Sequence, residues 1–234
     1  MSEFRRFRDR LLEKSADVSA RPVVYVAFGD SVTQGCMEYA TIEHDQVYHN
    51  LLKRSVERLY PTTIFSVINS GVSGDTASGS RSRWQRDLFM YQPDFVTIGF
   101  GVNDAHEGEA GLKLYVESLR ELIELIRTRT EANVLLITPS MMMKADNANI
   151  DERDRPHIPR FLETAQAGYL PIYVEALKTL ASQEQVACLD QYDRWTQLEQ
   201  QGIDIHMRLV NGINHPDRAF HQDLADLIEA KLFE

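Results

Sequence analysis

Val23-Val24-Tyr25-Val26-Ala27-Phe28 is an unbroken apolar run, bounded by Arg21-Pro22 before it and Gly29 after it. That is the pattern of a strand buried on both faces. Similar runs recur at residues 62–68, 95–100, 134–137 and 186–189. Between them, residues 46–59, 81–91, 112–128 and 172–182 carry apolar side chains at helical spacing. Residues 217–233 hold Phe220, Leu224, Leu227, Ile228 and Leu232 along one side and predict a closing helix. Strand and helix alternate, which predicts right-handed crossovers and an α/β fold with a central parallel sheet of about five strands, helices covering both faces.

Two segments fall outside the alternation. At the N-terminus, Phe4, Phe7 and Leu11 sit at helical spacing among charged residues, so residues 1–21 predict an amphipathic helix docked on the body. The segment lacks the apolar core of a signal peptide, and no window is apolar for long enough to span a bilayer. Residues 141–170 are irregular, with Met141-Met142-Met143, charged residues, and prolines at 156 and 159. A loop this long predicts a lid or binding wall. The methionines fit either packing at the end of the fourth strand or a pliable wall for an acyl or aryl group. No linker or repeat divides the chain, so residues 22–234 read as one domain.

Composition narrows the function. Twenty-five basic residues against 35 acidic ones give a formal charge of −10, which disfavours nucleic acid and anionic membrane as partners and suits a small neutral or cationic substrate. Cys36 and Cys188 stand alone, without a C-x-x-C pair, so a disulfide framework or cysteine zinc site is not expected and a reducing, cytoplasmic location is. His44, Asp45 and His49 match no standard metal spacing and are expected on a surface helix. His221 is expected to be partly exposed.

The chemistry collects where strands end. The first strand runs into Gly29-Asp30-Ser31, the second into Asn69-Ser70-Gly71-Val72-Ser73-Gly74-Asp75, and the third into Gly99-Phe100-Gly101-Val102-Asn103-Asp104. Near the C-terminus stands Asn211-Gly212-Ile213-Asn214-His215-Pro216. Alone, each block reads as a turn or cap. Together, a serine, a glycine loop, an asparagine amide and a histidine are the parts that acyl transfer needs, and ligands of open parallel sheets bind beyond the strand C-termini.

The ordered set, spanning Gly29 to Pro216, resembles the SGNH hydrolase superfamily, which includes the GDSL-type esterases and lipases. The resemblance implies a flavodoxin-like three-layer α/β/α sandwich and hydrolysis of acyl esters through an acyl-enzyme, without metal or organic cofactor. It implies Ser31 as nucleophile and His215 as general base. The Ser31 and Gly71 backbone N–H groups and the Asn103 side chain would form the oxyanion hole. A carbohydrate O-deacetylase fits a small polar ester, with Trp84, Tyr39 and Tyr91 as candidate stacking surfaces. An acyltransferase using the same residues and a non-catalytic acyl-ligand binder are the alternatives.

One position departs from the family pattern. The aspartate usually found three residues before the histidine is replaced by Gly212, and Asn211 precedes it. Three arrangements fit. Asn211 or a backbone carbonyl near Gly212 orients the imidazole, an acid from elsewhere such as Asp217 does so, or Ser31 and His215 work as a dyad. There is no G-x-S-x-G elbow, Walker A motif or dinucleotide fingerprint.

Overall fold

A computed structural model describes residues 3–233, so Met1, Ser2 and Glu234 of the expected segments lie outside it. The five strands are β1 (Val23–Gly29), β2 (Phe65–Gly71), β3 (Phe95–Gly99), β4 (Asn133–Ile137) and β5 (Ala187–Leu189). All neighbouring pairs are parallel, in the order β2-β1-β3-β4-β5. The chain leaves β1 toward one edge and returns to the other side for β3. The C-terminal ends of β1 and β3 therefore flank the point where the order reverses, the crevice in which such sheets bind ligands.

The helices are α1 (Arg5–Ala16), α2 (Ser31–Gln34), α3 (Tyr48–Leu59), α4 (Trp84–Asp87), α5 (Gly108–Arg129), α6 (Ile158–Gln166), α7 (Tyr169–Glu184), α8 (Gln191–Gln200) and α9 (Arg218–Phe233). One sheet face packs against α5 and α7 through Phe28, Val96, Ile98, Leu119, Ile123 and Leu177. The other packs against α1, α3 and α9 through Tyr25, Phe95, Leu52, Val56, Leu224 and Ile228. The result is a three-layer α/β/α sandwich. Phe4, Phe7 and Leu11 are fully buried in the second layer, with Phe7 5.0 Å from Phe95 between ring centroids. Arg10 and Arg21 both pair with the buried Asp94 carboxylate, which also accepts from Val24 N.

Four expected elements change. The second strand, expected at 62–68, runs Phe65–Gly71, because its pairing with β1 carries it on through the polar Asn69 and Ser70. Residues 81–91 form 3₁₀ turns and the one-turn α4 instead of a helix; the Asp87 carbonyl accepts from Ser70 Oγ at 2.7 Å at the end of β2 in place of continuing the ladder. Residues 141–170 contain α6, with prolines in its first turn and in the preceding 3₁₀ turn, where a missing N–H costs nothing. Residues 191–200, unassigned by periodicity, form α8, started by the Asp190 carboxylate on Asp193 N and buried through Trp195 and Leu198. Met141, Met142 and Met143 are each buried, in three different apolar clusters.

His49 and His221 are also buried, at 1% and 0% exposure, and not surface residues as expected. The packing of α3 on α9 covers both. The His49 Nε2 atom bonds the Thr33 carbonyl at 3.1 Å, and His221 Nδ1 accepts from Tyr48 N at 3.4 Å. Burial lowers their pKa values to about 4 and about 3, so both are neutral in the fold. No helix among the described residues is long and apolar enough to cross a membrane.

Candidate active site

Ser31 follows β1 directly. Asp30 is extended, and its carboxylate caps the following turn by accepting from Val32 N at 3.0 Å, so Ser31 becomes the first residue of α2. Its N–H has no intrahelical acceptor, as at any helix start. The residue is 3% exposed and lies on the wall of an open cleft of about 560 Å³. His215 and Asn103 line the same cleft. Ser31 comes from the end of β1, Asn103 from the end of β3 and His215 from the loop before α9, so only the fold brings them together.

Asn103 donates one amide hydrogen to the Asp75 carbonyl at 2.9 Å. This fixes the amide plane and leaves the second hydrogen for the cleft. The neighbouring Asp104 is buried, accepts from Ala77 N at 2.9 Å, and has a second carboxylate oxygen without a partner among the described residues. Burial raises its pKa to about 7, and burial likewise raises that of Asp30 to about 7.

Gly71 is not where the oxyanion assignment needs it. It is the last residue of β2, in register with Gly29, and its N–H donates to Asn69 Oδ1 at 3.0 Å. Gly74, three residues on, lines the cleft instead, and no residue among those described accepts its N–H. Its φ of +76° is the left-handed conformation that glycine adopts without strain, and an added Cβ would meet nothing within 4 Å. The sequence signal was the second glycine of the same block. Choosing between the two required knowing that β2 pairs as far as Gly71.

The histidine is held by an unforeseen group. His215 Nδ1 lies 2.9 Å from the backbone carbonyl of Met37. A carbonyl only accepts, so this contact assigns the proton to Nδ1 and leaves the Nε2 lone pair free. Met37 sits in a turn after α2, where its N–H bonds the Thr41 carbonyl at 2.9 Å and Cys36 pairs with Ile42. A backbone carbonyl has no side-chain signature, so no sequence motif announces it. Burial lowers the His215 pKa, while the Met37 contact and, more weakly, the Asp154 carboxylate at the cleft wall raise it.

Asn211 does not reach the ring. Its Oδ1 accepts from the backbone N–H groups of Ile213, Asn214 and His215 at 3.0, 2.9 and 2.9 Å, and its amide donates to Asn214 Oδ1 at 3.2 Å. It braces the turn that presents His215. Gly212 has φ +71°, and a Cβ there would lie 2.6 Å from Asn147 Oδ1, so the position three before the histidine has no room for an aspartate. Asp217 is occupied elsewhere, paired with Arg208 at 2.6 Å and capping α9 through Phe220 N at 2.7 Å.

The remaining walls are mixed. Tyr39, 41% exposed, lines the cleft with the Arg153 guanidinium 3.8 Å over its ring. Trp84 is buried with its indole N–H on Ser80, and Tyr91 lies outside the cleft, so neither is a stacking surface for it. The methionine run does not line the cleft either; Phe161, from α6, supplies apolar wall in its place. Among the described residues, no group of three or more His, Cys, Asp or Glu could hold a metal ion.

A flavodoxin-ordered sheet with these four blocks at its carboxyl edge is the architecture of one large class of hydrolases. The GDSL-like lipase/acylhydrolase family model matches residues 27–222, and the chain belongs to that family. It is similar to an acetylxylan esterase of Geobacillus stearothermophilus, 29% identical over 93 residues, which is 36% of this chain and 42% of that protein. It is also similar to an uncharacterized lipoprotein of Bacillus subtilis, 37% identical over 81 residues, 34% of this chain and 31% of that protein. These matches therefore span less than half the length of either curated relative. Among solved structures, a lipase/acylhydrolase from Enterococcus faecalis superposes with TM-score 0.67 at 24% identity, covering 89% of this chain and 95% of that one. The Geobacillus stearothermophilus acetylxylan esterase superposes with TM-score 0.68 at 19% identity, covering 91% and 94%. At these identities the superpositions establish the fold.

Proposed function

We propose that the protein is a serine esterase that cleaves short acyl esters through an acyl-enzyme, with a partly acetylated carbohydrate as its substrate class. The observation that carries this reading is the shared cleft of Ser31, Asn103 and His215, with the imidazole Nδ1 proton committed to the Met37 carbonyl. A serine hydroxyl is a weak nucleophile until a base takes its proton, and His215 Nε2 is the atom with a free lone pair to do so. As Ser31 Oγ attacks the ester carbonyl, negative charge builds on the carbonyl oxygen. The Ser31 N–H, the Gly74 N–H and the second Asn103 amide hydrogen serve it as oxyanion donors. Gly74 replaces Gly71 in this role because the Gly71 N–H is already bonded.

His215 then protonates the leaving alkoxide, and in the second half-reaction activates the water that releases the acid. The Met37 carbonyl does the tautomer-fixing work of a triad acid, without its charge. Missing that charge, the imidazolium formed in each transition state is less stabilised than in a full triad. The acetyl preference rests on the acetylxylan esterase relative and on the open, mixed polar cleft with one exposed tyrosine. A cytoplasmic location belongs to this proposal and rests on two unpaired cysteines, Cys36 and Cys188. The lipoprotein relative makes an envelope location the outcome of cell fractionation that would overturn it.

The test is release of p-nitrophenol from an ester series, acetate to decanoate, by the wild-type protein and Ser31→Ala, followed by acetate release from acetylated xylo-oligosaccharides. Ser31-dependent release falling with chain length supports the reading. A folded wild-type protein that releases nothing from either set, or release that survives Ser31→Ala, overturns it.

A further inference from the structure

Arg83 is one of the most buried cations in the molecule, at 6% exposure, and none of the steps above uses it. Its guanidinium lies 4.3 Å over the Phe28 ring of β1. Every polar bond it makes goes to a segment that carries part of the oxyanion hole or to its own turn. Nη2 donates to the Gly29 carbonyl at 3.0 Å, two residues before Ser31. Nη1 donates to the Ser70 carbonyl at 2.8 Å at the end of β2, with the Asp87 carboxylate at 3.5 Å. Nε donates to Asp75 Oδ2 at 2.7 Å, on the residue that follows Gly74. The backbone carbonyl of that same Asp75 receives the Asn103 amide.

We infer that Arg83 is the positioning residue of the oxyanion hole, setting the Ser31, Gly74 and Asn103 donors relative to one another through Gly29 and Asp75. This rests on the esterase reading of the cleft. The physical case is geometric. A planar guanidinium offers five N–H groups at fixed angles, so it can hold three backbone segments in one arrangement, which a flexible ammonium cannot. The three donors come from the ends of three different strands. The last bonds between the strand ends are Asp30 N–H on the Gly99 carbonyl at 3.2 Å and Val72 N–H on the Gly29 carbonyl at 3.1 Å, and the donors lie beyond them. Arg83 spans the first two ends directly and reaches the third through Asp75 and Asn103. Oxyanion donors act through preorganisation, so displacing them by a fraction of an ångström lowers turnover while leaving ground-state ester binding in place.

The test uses Arg83→Lys and Arg83→Gln in the full chain, with denaturant unfolding as a check that each variant is folded. The expected result is a kcat lower by about 10- to 100-fold with KM within about threefold, the loss that small misplacements of catalytic groups cause. In the Asn103→Ala background the same Arg83 changes should cost less, because one of the three donors they position is gone, while a part of the loss persists through the Ser31 and Gly74 donors. A purely structural arginine would lower activity equally in both backgrounds. The Asn103 side-chain amide resonances, recorded by 15N–1H NMR, should shift or broaden in Arg83→Lys, a readout independent of turnover. Asp75→Asn, which keeps the shape and removes the charge facing Nε, is the second variant should the arginine changes impair folding. It should show the same kcat-selective loss.

Wild-type kcat in folded Arg83→Lys and Asp75→Asn, or unmoved Asn103 amide resonances, would overturn the inference while leaving the esterase reading intact. A wild-type protein without Ser31-dependent hydrolysis would overturn the esterase reading, and the positioning role with it, even if the resonances moved.

Discussion

Replacing Asn211 separates the two roles that a residue beside the histidine could have. Its Oδ1 accepts three backbone N–H groups, on Ile213, Asn214 and His215, and Asn211 and Asn214 are each 7% exposed. A neutral hydrogen bond contributes about 1 kcal/mol net, so Asn211→Ala, which loses these three and the amide bond to Asn214, should destabilise the fold by about 4 kcal/mol. A domain holding the usual 5–15 kcal/mol survives that loss. The turn presenting His215 loosens with it, and misalignment of the ring on the Met37 carbonyl should lower kcat/KM by about 100-fold. Asn211→Asp keeps all three acceptor bonds and loses the 3.2 Å bond to Asn214 Oδ1, so its kcat/KM should stay within about threefold of wild type. Urea unfolding at pH 7 together with p-nitrophenyl acetate kinetics reads both quantities. The reasoning fails if Asn211→Asp raises turnover by orders of magnitude, because an acid replacing its amide in a working triad recovers about 10⁴. It also fails if Asn211→Ala loses activity at unchanged stability, since that marks direct contact with the ring.

Ser31→Ala and His215→Ala should each abolish turnover in ester assays, and Asn103→Ala should lower kcat by about 10²–10³ with little change in KM, the cost of one oxyanion donor. Burial holds the His215 pKa below the ordinary 6.5, and the base must be neutral to act. The kcat/KM profile should therefore rise with pH through a midpoint below 6.5 and stay high above it; a midpoint above 6.5 contradicts the assignment. His221, neutral in the fold with a pKa of about 3, takes up a proton near pH 6.5 only when unfolded. Its contribution to stability is complete above pH 6.5 and is lost as pH falls toward 3. Between pH 6 and 4, His221→Gln should therefore flatten the stability-against-pH slope by about 1.4 kcal/mol per pH unit relative to wild type, as urea midpoints would show. Asp30 and Asp104, whose pKa values are raised, bias that slope the opposite way in both proteins and drop out of the difference.

Apolar runs bounded by glycine and proline were enough to read four of the strands near their limits, because a strand buried on both faces must be apolar throughout, whereas the edge strand β2 begins and ends three residues later than its apolar run and carries Ser66, Asn69 and Ser70. The alternation with amphipathic helices carried the parallel sheet. Ser31, Asn103 and His215, which the fold brings to one cleft, were legible as candidates because acyl transfer calls for those side-chain types and each stands in a short block beside glycines. Elements whose cause is tertiary were not legible. Residues 81–91 carry helical periodicity but are broken into short turns, in which Arg83 lies against Gly29, Ser70 and Asp75. His49 and His221 look like surface residues until α3 and α9 pack together. The choice of Gly74 over Gly71 depends on how far β2 pairs with β1, a register no single strand encodes. The group that orients His215 is a main-chain carbonyl, identical in every residue type, and only the folded path of the turn after α2 brings Met37 to the ring. Side-chain chemistry and periodicity are local and are written in the residues; backbone donors and acceptors are the same everywhere along the chain, so where they meet is decided by the tertiary structure.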